Sequence, residues 1–160
     1  MNTRARFVEQ FAALPWRMVD SHPEVLLVTS RISRKWLLPK GWLINSLGPA
    51  GTAEREAYEE AGILGEVSAQ PIGSFRYFKV SGRNEKRPAQ AMVFGLRVTE
   101  MLNQWPEAHQ RHRAWFSPSD AAEAVSEPTL AAFLRTLPEA VFCDTSRTMP
   151  AHVAQWAAAE

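Results

Sequence analysis

The chain has 160 residues, of which 46% are hydrophobic and 22% charged, a composition that excludes the collagen, coiled-coil and disordered classes. Lysine and arginine total 18 against 17 acidic residues, and the net charge of +1 argues against a uniformly basic nucleic-acid-binding protein. The single cysteine, Cys143, cannot form an internal disulfide, and no apolar stretch approaches the roughly 20 residues of a membrane span. We therefore expect a single domain over residues 1–160, located in the cytoplasm.

The first 24 residues are predicted to form an N-terminal arm that contains a short helix. Its apolar side chains recur at helical spacing and stop before a proline; they are Phe7, Phe11 and Leu14, ahead of Pro15. The predicted core then extends over residues 25–134. It begins with two short strands at 25–29 and 36–38, which a basic turn separates.

A loop over residues 41–51 is predicted to lead into a helix that runs to Ala61 and is closed by Gly62. Beyond it the sequence predicts strands joined by a polar hairpin loop, a further strand, two capped helices and a C-terminal extension. In chain order, the predicted strands cover 65–80, 89–99 and 114–116. The two predicted helices start at Ser117 and at Glu127, and the second reaches Leu134. The C-terminal extension covers 137–160 and contains a terminal helix over 151–160.

The helix before Gly62 has two distinct faces. One stripe consists almost entirely of small side chains, which suits close packing on a sheet; it contains Ala50, Ala53, Ala57, Ala61 and Leu64. On an adjacent face, Glu56, Glu59 and Glu60 fall within an arc of about 100°. Like charges at these spacings destabilise a helix, and a divalent cation would remove that destabilisation. A solvated glutamate-rich helix is the alternative explanation of the motif taken alone.

The sequence around these glutamates resembles the loop-helix-loop signature of the Nudix hydrolases. That signature is Gly, five residues, Glu, seven residues, then Arg-Glu-apolar-x-Glu-Glu-x-Gly-apolar. Residues 41–63 match every specified position after the first Glu, with Ala57 counted as apolar. Leu47 stands at the position of that first Glu, which in the family helps to hold the metal cluster or to anchor the loop. Its replacement bears on the number of bound metals and on catalytic efficiency.

The resemblance covers about residues 25–134. Within the family, the sequence is similar in particular to a bacterial branch related to diphosphoinositol polyphosphate and dinucleoside polyphosphate hydrolases. It implies an α/β/α sandwich with a mixed β-sheet. It also implies hydrolysis of phosphoanhydride bonds in nucleoside-diphosphate-linked or polyphosphorylated small molecules, through attack by a metal-activated water. The implied cofactor is Mg²⁺ or Mn²⁺, and the implied partner is a small phosphorylated molecule rather than a nucleic acid or a membrane.

The resemblance further implies roles for individual residues. The expected metal ligands are Glu56, Glu59, Glu60 and the backbone near Lys40 or Gly41. The expected catalytic residues are Glu59, Glu56 and Arg55, with Glu59 and Glu56 as rivals for the general base and Arg55 placed to orient Glu59. Many family members supply a late acidic ligand shortly before a tryptophan. Here His112 or no residue takes that position, and Glu107 is the nearest acid.

Two basic clusters are candidates for contact with substrate phosphates. The first contains Arg31, Arg34, Lys35 and Lys40, and the second, in or beside the hairpin loop, contains Arg76, Lys79, Arg83, Lys86 and Arg87. From these clusters and the loop after Lys40, the expected substrate-binding residues are Arg31, Lys40, Trp42, Arg76 and Arg87. The second cluster has an equally good alternative explanation, because basic residues prevent edge-to-edge pairing of strands.

Two other function classes stay open at this point. A non-catalytic anion-binding module would keep the acidic face without turnover because Leu47 replaces the first signature Glu. Nucleic-acid binding through the hairpin arginines and the tryptophans would give an affinity that falls steeply with salt. The two end segments are candidates for covering the site or for forming a homodimer.

Overall fold

The computed structural model describes residues 6–80 and 82–143 and contains one mixed β-sheet with helices on both faces. The strands are β1 (Val8–Val19), β2 (His22–Thr29), β3 (Trp36–Leu37), β4 (Lys40–Gly41), β5 (Ile63–Val67), β6 (Gly73–Val80), β7 (Lys86–Met101) and β8 (Arg113–Phe116). The helices are α1 (Gly48–Glu56), continued by a π-helical segment (Ala57–Ala61), α2 (Pro118–Ala124), α3 (Pro128–Arg135) and a 3₁₀ turn (Glu139–Phe142).

The strand order is β3-β2-β1-β7-β5, with β4 beside β1, β6 beside β7 and β8 beside β2. The β1 and β7 pair is parallel, with Val8 opposite Ala89 and Trp16 opposite Arg97, whereas the other pairs are antiparallel. Two apolar clusters pack on opposite faces of this sheet. One includes residues of α2 and α3, and the other includes Ala53, Ala57 and Ala61. The predicted α/β/α sandwich is confirmed.

The predicted N-terminal arm with a short helix is wrong, because residues 8–19 form the central strand β1. A central strand is covered on both faces, so its apolar residues need not alternate with polar ones. Phe11 and Ala13 pack on the α1 side, while Leu14 and Trp16 pack on the side of α2 and α3. This double coverage produces the apolar run that resembles helical spacing. Residues 1–5 lie outside the described part of the chain.

The small-residue stripe has the expected function in the fold. Ala53, Ala57 and Ala61 are fully buried, and α1 therefore lies close to the sheet. Gly62 ends the helix in the left-handed conformation with φ of 64°, and its N–H donates to the Tyr58 carbonyl at 3.0 Å. Ala57–Ala61 is π-helical, a local widening that is frequent at functional sites.

The single strand predicted over 65–80 is wrong, because β5 and β6 are separate strands that both pair with β7, and Lys40–Gly41, outside the predicted strands, pairs with β1 as β4. The other elements agree with the sequence in kind. Strands occur at 22–29, 36–37 and 113–116, and β6 and β7 form the expected hairpin. Ser117 caps α2 by accepting from the Asp120 N–H at 3.1 Å, and the Glu127 side chain accepts from the Thr129 N–H at the start of α3. The helix predicted at 151–160 lies outside the described residues. Among the described residues, no helix has the length and apolarity required to cross a bilayer.

Candidate active site

A groove with a volume of about 940 Å³ opens where α1, the loop after β2, β4 and the ends of β1 and β6 meet the segment 102–112. The charged residues that line it are Arg31, Lys35, Lys40, Glu56, Glu60, Lys79, Glu107 and Arg111. Acidic and basic side chains therefore face one shared space. The groove brings together the predicted residues Glu56, Glu60, Gly41, Lys40, Arg31 and Trp42.

Two carboxylates from the helix lie against the β4 backbone. Glu60 is 6% exposed, and its Oε2 accepts from the Lys40 N–H at 3.3 Å. The Glu56 carboxylate lies so close to Gly41 that a Cβ added to this glycine would overlap it. A side chain at position 41 would therefore displace the Glu56 carboxylate from the strand.

The charge on these two carboxylates is only partly compensated by neighbouring groups. Burial raises the pKa of Glu56 to about 7, and the nearby Glu59 and Glu107 add to the shift. Burial also raises the pKa of Glu60, against the opposing effect of the Arg111 guanidinium. Ionisation of these carboxyl groups is therefore unfavourable in the groove as it stands, and a bound cation would favour their ionised form.

Glu59 lies near Glu56, but its carboxylate is paired with Arg55. Its Oε1 accepts from Arg55 Nε at 2.9 Å, and both side chains are about one third exposed. The guanidinium of Arg55 also lies 5.2 Å from the centroid of the Tyr58 ring. The pairing of Arg55 with Glu59 agrees with their i,i+4 spacing, and Glu59 is absent from the described residues that line the groove.

Residues 102–113 donate hydrogen bonds to backbone carbonyls at the C-terminal end of the helix that carries Glu56, Glu59 and Glu60. The Glu107 N–H donates to the Glu59 carbonyl at 3.0 Å, and Trp105 Nε1 donates to the Glu60 carbonyl at 3.1 Å. Arg113 donates to the Ala61 and Gly62 carbonyls at 2.7 and 3.2 Å. These hydrogen bonds satisfy carbonyls that a helix end leaves without intrahelical donors, and they fix the position of the helix relative to the groove.

Arg111 is a groove residue that the sequence analysis did not identify. Its Nη2 lies 3.2 Å from Glu60 Oε1 and 3.2 Å from Glu107 Oε1. The position lies in an irregular segment between β7 and β8, where no periodicity marks which side chain turns inward. The one available signal was the mixture of acidic and basic residues over 107–113, in which Glu107 was the nearest acid.

The basic side of the groove carries lysines that lie over aromatic rings. Lys40 Nζ is 5.2 Å from the centroid of Tyr77, and Lys79 Nζ is 5.3 Å from that of Trp42. Burial lowers the pKa of Lys40. Trp42 is 52% exposed at the groove, which leaves ring surface available to a ligand.

Three other predicted positions lie elsewhere. Arg76 stacks on Phe7 with its guanidinium carbon 4.3 Å from the ring centroid, and it lines a different surface depression beside α3. Arg87 is exposed near the start of β7 and is absent from the described groove lining. The His112 side chain is exposed, and Glu107 is the acid that this segment directs into the groove. Alternation along β6 puts Arg76 and Lys79 on opposite faces of the sheet, and of the two only Lys79 lines the groove.

The NUDIX domain matches residues 10–137, which is most of the chain. The chain belongs to the Nudix family. The mouse diphosphoinositol polyphosphate phosphohydrolase 3-alpha is 35% identical over 136 residues, covering 82% of this chain and 78% of the relative. The mouse diphosphoinositol polyphosphate phosphohydrolase 2 is 34% identical over 139 residues, covering 84% and 73%. The predicted enzyme class, a Nudix-type pyrophosphohydrolase, is confirmed.

Solved structures agree with the Nudix fold. The Ap4A hydrolase of C. elegans superposes with a TM-score of 0.60 at 19% identity, covering 81% of this chain and 95% of that one. The MutT protein of Methanosarcina mazei Go1 gives a TM-score of 0.61 at 19% identity, covering 85% and 96%. The alternative of a non-catalytic binding module gains no support from these relatives.

The Nudix signature loop is held without its first Glu. Leu47 takes the N-cap position of α1 and makes no side-chain capping hydrogen bond. Thr52 ties the loop to the helix instead, because its hydroxyl accepts from the Ile44 N–H at 2.9 Å and donates to the Gly48 carbonyl at 2.7 Å. The loop is therefore joined to the helix through the Thr52 side chain and not through the side chain at position 47.

Nudix hydrolases generally use divalent metals, and the donor atoms in the groove fit such an ion. Glu56 and Glu60 supply hard carboxylate oxygens, which Mg²⁺ and Mn²⁺ prefer, and a cation between them would offset the effect of burial on their ionised form. In the part of the chain that the structure describes, no three Asp, Glu, His or Cys side chains are grouped closely enough to hold an ion as they stand. Backbone oxygen near Gly41 is a further donor of suitable chemistry.

Proposed function

We propose that this Nudix enzyme hydrolyses phosphoanhydride bonds in small molecules that carry several phosphates, with Mg²⁺ or Mn²⁺ as cofactor. Diphosphoinositol polyphosphates and dinucleoside polyphosphates rank ahead of nucleoside triphosphates as substrates. The observation that carries the proposal is the groove itself, in which half-buried Glu56 and buried Glu60 share one space with Arg31, Lys40 and Lys79. The similarity of the chain to the diphosphoinositol polyphosphate phosphohydrolases and to the Ap4A hydrolase supports this ranking of substrates.

Each side of the groove has a distinct part in the proposed reaction. Glu56, Glu60 and the backbone near Gly41 would hold the divalent cation, which when bound lowers the pKa of a water and neutralises phosphate oxygens. Lys40 and Lys79 would bind phosphates through their ammonium groups, held in position by the Tyr77 and Trp42 rings.

Glu56 is the preferred proton acceptor in this proposal. It lines the groove, whereas Glu59 is absent from the described residues of that lining. Glu59 forms an ion pair with Arg55 at 2.9 Å and would stabilise the helix beside the site. Comparison of Glu56→Gln with Glu59→Gln separates these roles, since loss of the proton acceptor lowers kcat more strongly.

Phosphate release across a substrate panel tests the proposal. The panel contains dinucleoside polyphosphates, diphosphoinositol polyphosphates, nucleotide sugars and nucleoside triphosphates, each with Mg²⁺ or Mn²⁺. We expect metal-dependent turnover that falls about 10²-fold or more in Glu56→Gln and Glu60→Gln and is unchanged in Glu123→Gln, an exposed control on α2. Absence of metal-dependent turnover, or full activity in both groove variants, would contradict the proposal.

A matched pair of lysine variants tests the substrate-binding side. Lys79 lines the groove, whereas Lys86 is exposed at the start of β7 and is absent from the described lining. We expect Lys79→Gln to raise KM for polyphosphorylated substrates several-fold and Lys86→Gln to leave it unchanged. Turnover of monomeric nucleoside triphosphates alone would reverse the substrate ranking.

A further inference from the structure

Gln10 is a polar side chain on the central strand β1, at the end of this strand that meets the groove. It is 3% exposed and belongs to the groove lining. Ala12 and Leu14, which follow at intervals of two, pack in the apolar cluster on the side of α2 and α3. Because side chains alternate along a strand, Gln10 faces the same side. A neutral amide therefore lies at the groove end of an apolar row.

Tyr77 on β6 binds the oxygen of this amide. The Tyr77 hydroxyl donates a hydrogen bond to Gln10 Oε1. The two residues lie on strands that β7 separates, with Ala91 opposite Gln10 and Ala89 opposite Tyr77. These small side chains leave space over β7 through which the tyrosine reaches Gln10. Since the hydroxyl occupies Oε1, the amide nitrogen Nε2 is directed away from Tyr77.

The amide nitrogen of Gln10 carries two N–H donors. Among the described residues, no atom accepts a hydrogen bond from this nitrogen. A donor in a largely buried side chain is unfavourable when it has no acceptor. Because Gln10 lines the groove, this is the side from which an acceptor can reach it.

The charges around Gln10 favour an anionic acceptor. Five basic and three acidic side chains line the described part of the groove; they are Arg31, Lys35, Lys40, Lys79 and Arg111, and Glu56, Glu60 and Glu107. Of the basic residues, Lys40 approaches the pair of Gln10 and Tyr77, because it lies opposite Ala12 and its Nζ is 5.2 Å from the centroid of the Tyr77 ring. Phosphate oxygens only accept hydrogen bonds, so an ammonium and an amide N–H can bind the same phosphate group.

We propose that the Gln10 amide nitrogen donates a hydrogen bond to a phosphate oxygen of the substrate, and that Tyr77 holds the amide in the orientation this requires. The inference rests on the proposed function, since it assumes that a polyphosphorylated molecule occupies the groove. A neutral amide adds a directional hydrogen bond without adding positive charge, so it selects for the position of an oxygen rather than for the total charge of the ligand. Gln10 is thus a substrate-binding residue, and Tyr77 is a positioning residue that acts through it.

Titration calorimetry with methylenediphosphonate and Mg²⁺ tests the inference without turnover, because the P–C–P bridge of this probe is not a phosphoanhydride. Gln10→Met has a similar volume and no donor, and we expect it to weaken binding of the probe about tenfold. Gln10→Glu still accepts from Tyr77 but replaces the donors by a negative charge, and it should weaken binding about 50-fold or more. Gln90→Met is the matched control and should bind the probe as the native protein does, since Gln90 lies on β7 outside the described groove lining.

A double-mutant cycle separates positioning by Tyr77 from a purely structural contribution. Tyr77→Phe keeps the ring beside Lys40 but frees the amide to turn, and it should weaken binding of the probe about threefold. In the Gln10→Met background the same substitution should have no further effect, because the group that it positions is gone. The double variant also removes both partners of the hydrogen bond. It therefore supplies the measurement if Gln10→Met alone does not fold, as judged by urea unfolding, and should bind the probe about tenfold more weakly than the native protein.

The KM of the substrate that the panel identifies should rise in the same order across these variants, with a smaller change in kcat. Native affinity and KM in folded Gln10→Met or Gln10→Glu, or losses that add in the double variant, would overturn the inference. Metal-dependent hydrolysis of the panel together with such a result refutes this inference alone. A native protein that neither binds methylenediphosphonate nor hydrolyses the panel refutes the proposed function as well.

Discussion

Replacement of Glu54 by glutamine tests the energetic consequence of a carboxyl group buried in α1. Glu54 is 2% exposed, and burial raises its pKa from 4.5 to about 7. In the unfolded chain the group titrates near its ordinary value. Between these two pKa values the folded protein binds more protons than the unfolded chain, so the free energy of unfolding falls as the pH rises through this window.

The shift sets the size of the effect. One pKa unit corresponds to about 1.4 kcal/mol, so ionisation of Glu54 destabilises the folded protein by up to about 3 kcal/mol at pH 8. Glutamine is neutral at every pH and avoids this destabilisation. We therefore expect Glu54→Gln to be more stable than the native protein by about 1–3 kcal/mol at pH 8, and the difference to shrink below about 1 kcal/mol at pH 4.5.

Urea unfolding followed by tryptophan fluorescence at several pH values between 4.5 and 8 provides the measurement. Glu123→Gln on the exposed side of α2 is the control and should match the native protein across the range. A stability difference between Glu54→Gln and the native protein that does not change with pH would refute the reasoning. So would a variant that is less stable than the native protein at pH 8.

Two glycine substitutions test the geometry around the helix. Gly62→Ala should destabilise the protein by about 2 kcal/mol more than Gly48→Ala in urea unfolding, because both positions have positive φ but only a Cβ at Gly62 would meet the Trp105 ring, at 2.5 Å. Equal losses would show that Trp105 moves aside freely. Gly41→Ala should lower Mn²⁺ affinity and kcat at least tenfold, because its Cβ displaces the Glu56 carboxylate; native kinetics in this variant would contradict that placement.

The elements with local signals could be predicted from the sequence. The alanine stripe and Gly62 defined the helix, and the capping residues Ser117 and Glu127 defined the starts of α2 and α3. The central strand β1 could not, because burial on both faces removes the period of two and leaves an apolar run. Pro15 also argued against a strand. Proline is tolerated there because no strand pairs with this edge of β1 between Ala12, where the pairing with β4 ends, and Trp16, where the pairing with β2 begins.

The candidate site divides in the same way. Glu56, Glu60 and Gly41 lie within one signature, and their spacing along a helix and its preceding loop predicts that they meet. The placement of Arg111 and Glu107 depends on an irregular segment whose path is set by tertiary hydrogen bonds to the helix end and to Thr29. Such contacts join residues far apart in the chain, and no local pattern encodes them.

The parallel pairing of β1 with β7 has a consequence for the order of folding. Val8 lies opposite Ala89, so the centre of the sheet closes only after about 80 residues of intervening chain have been made and brought together. During synthesis, the apolar strand β1 leaves the ribosome before β7 and before α2 and α3, which cover one of its faces. Until then, the buried residues of this central strand are exposed on the nascent chain, where protection from aggregation matters.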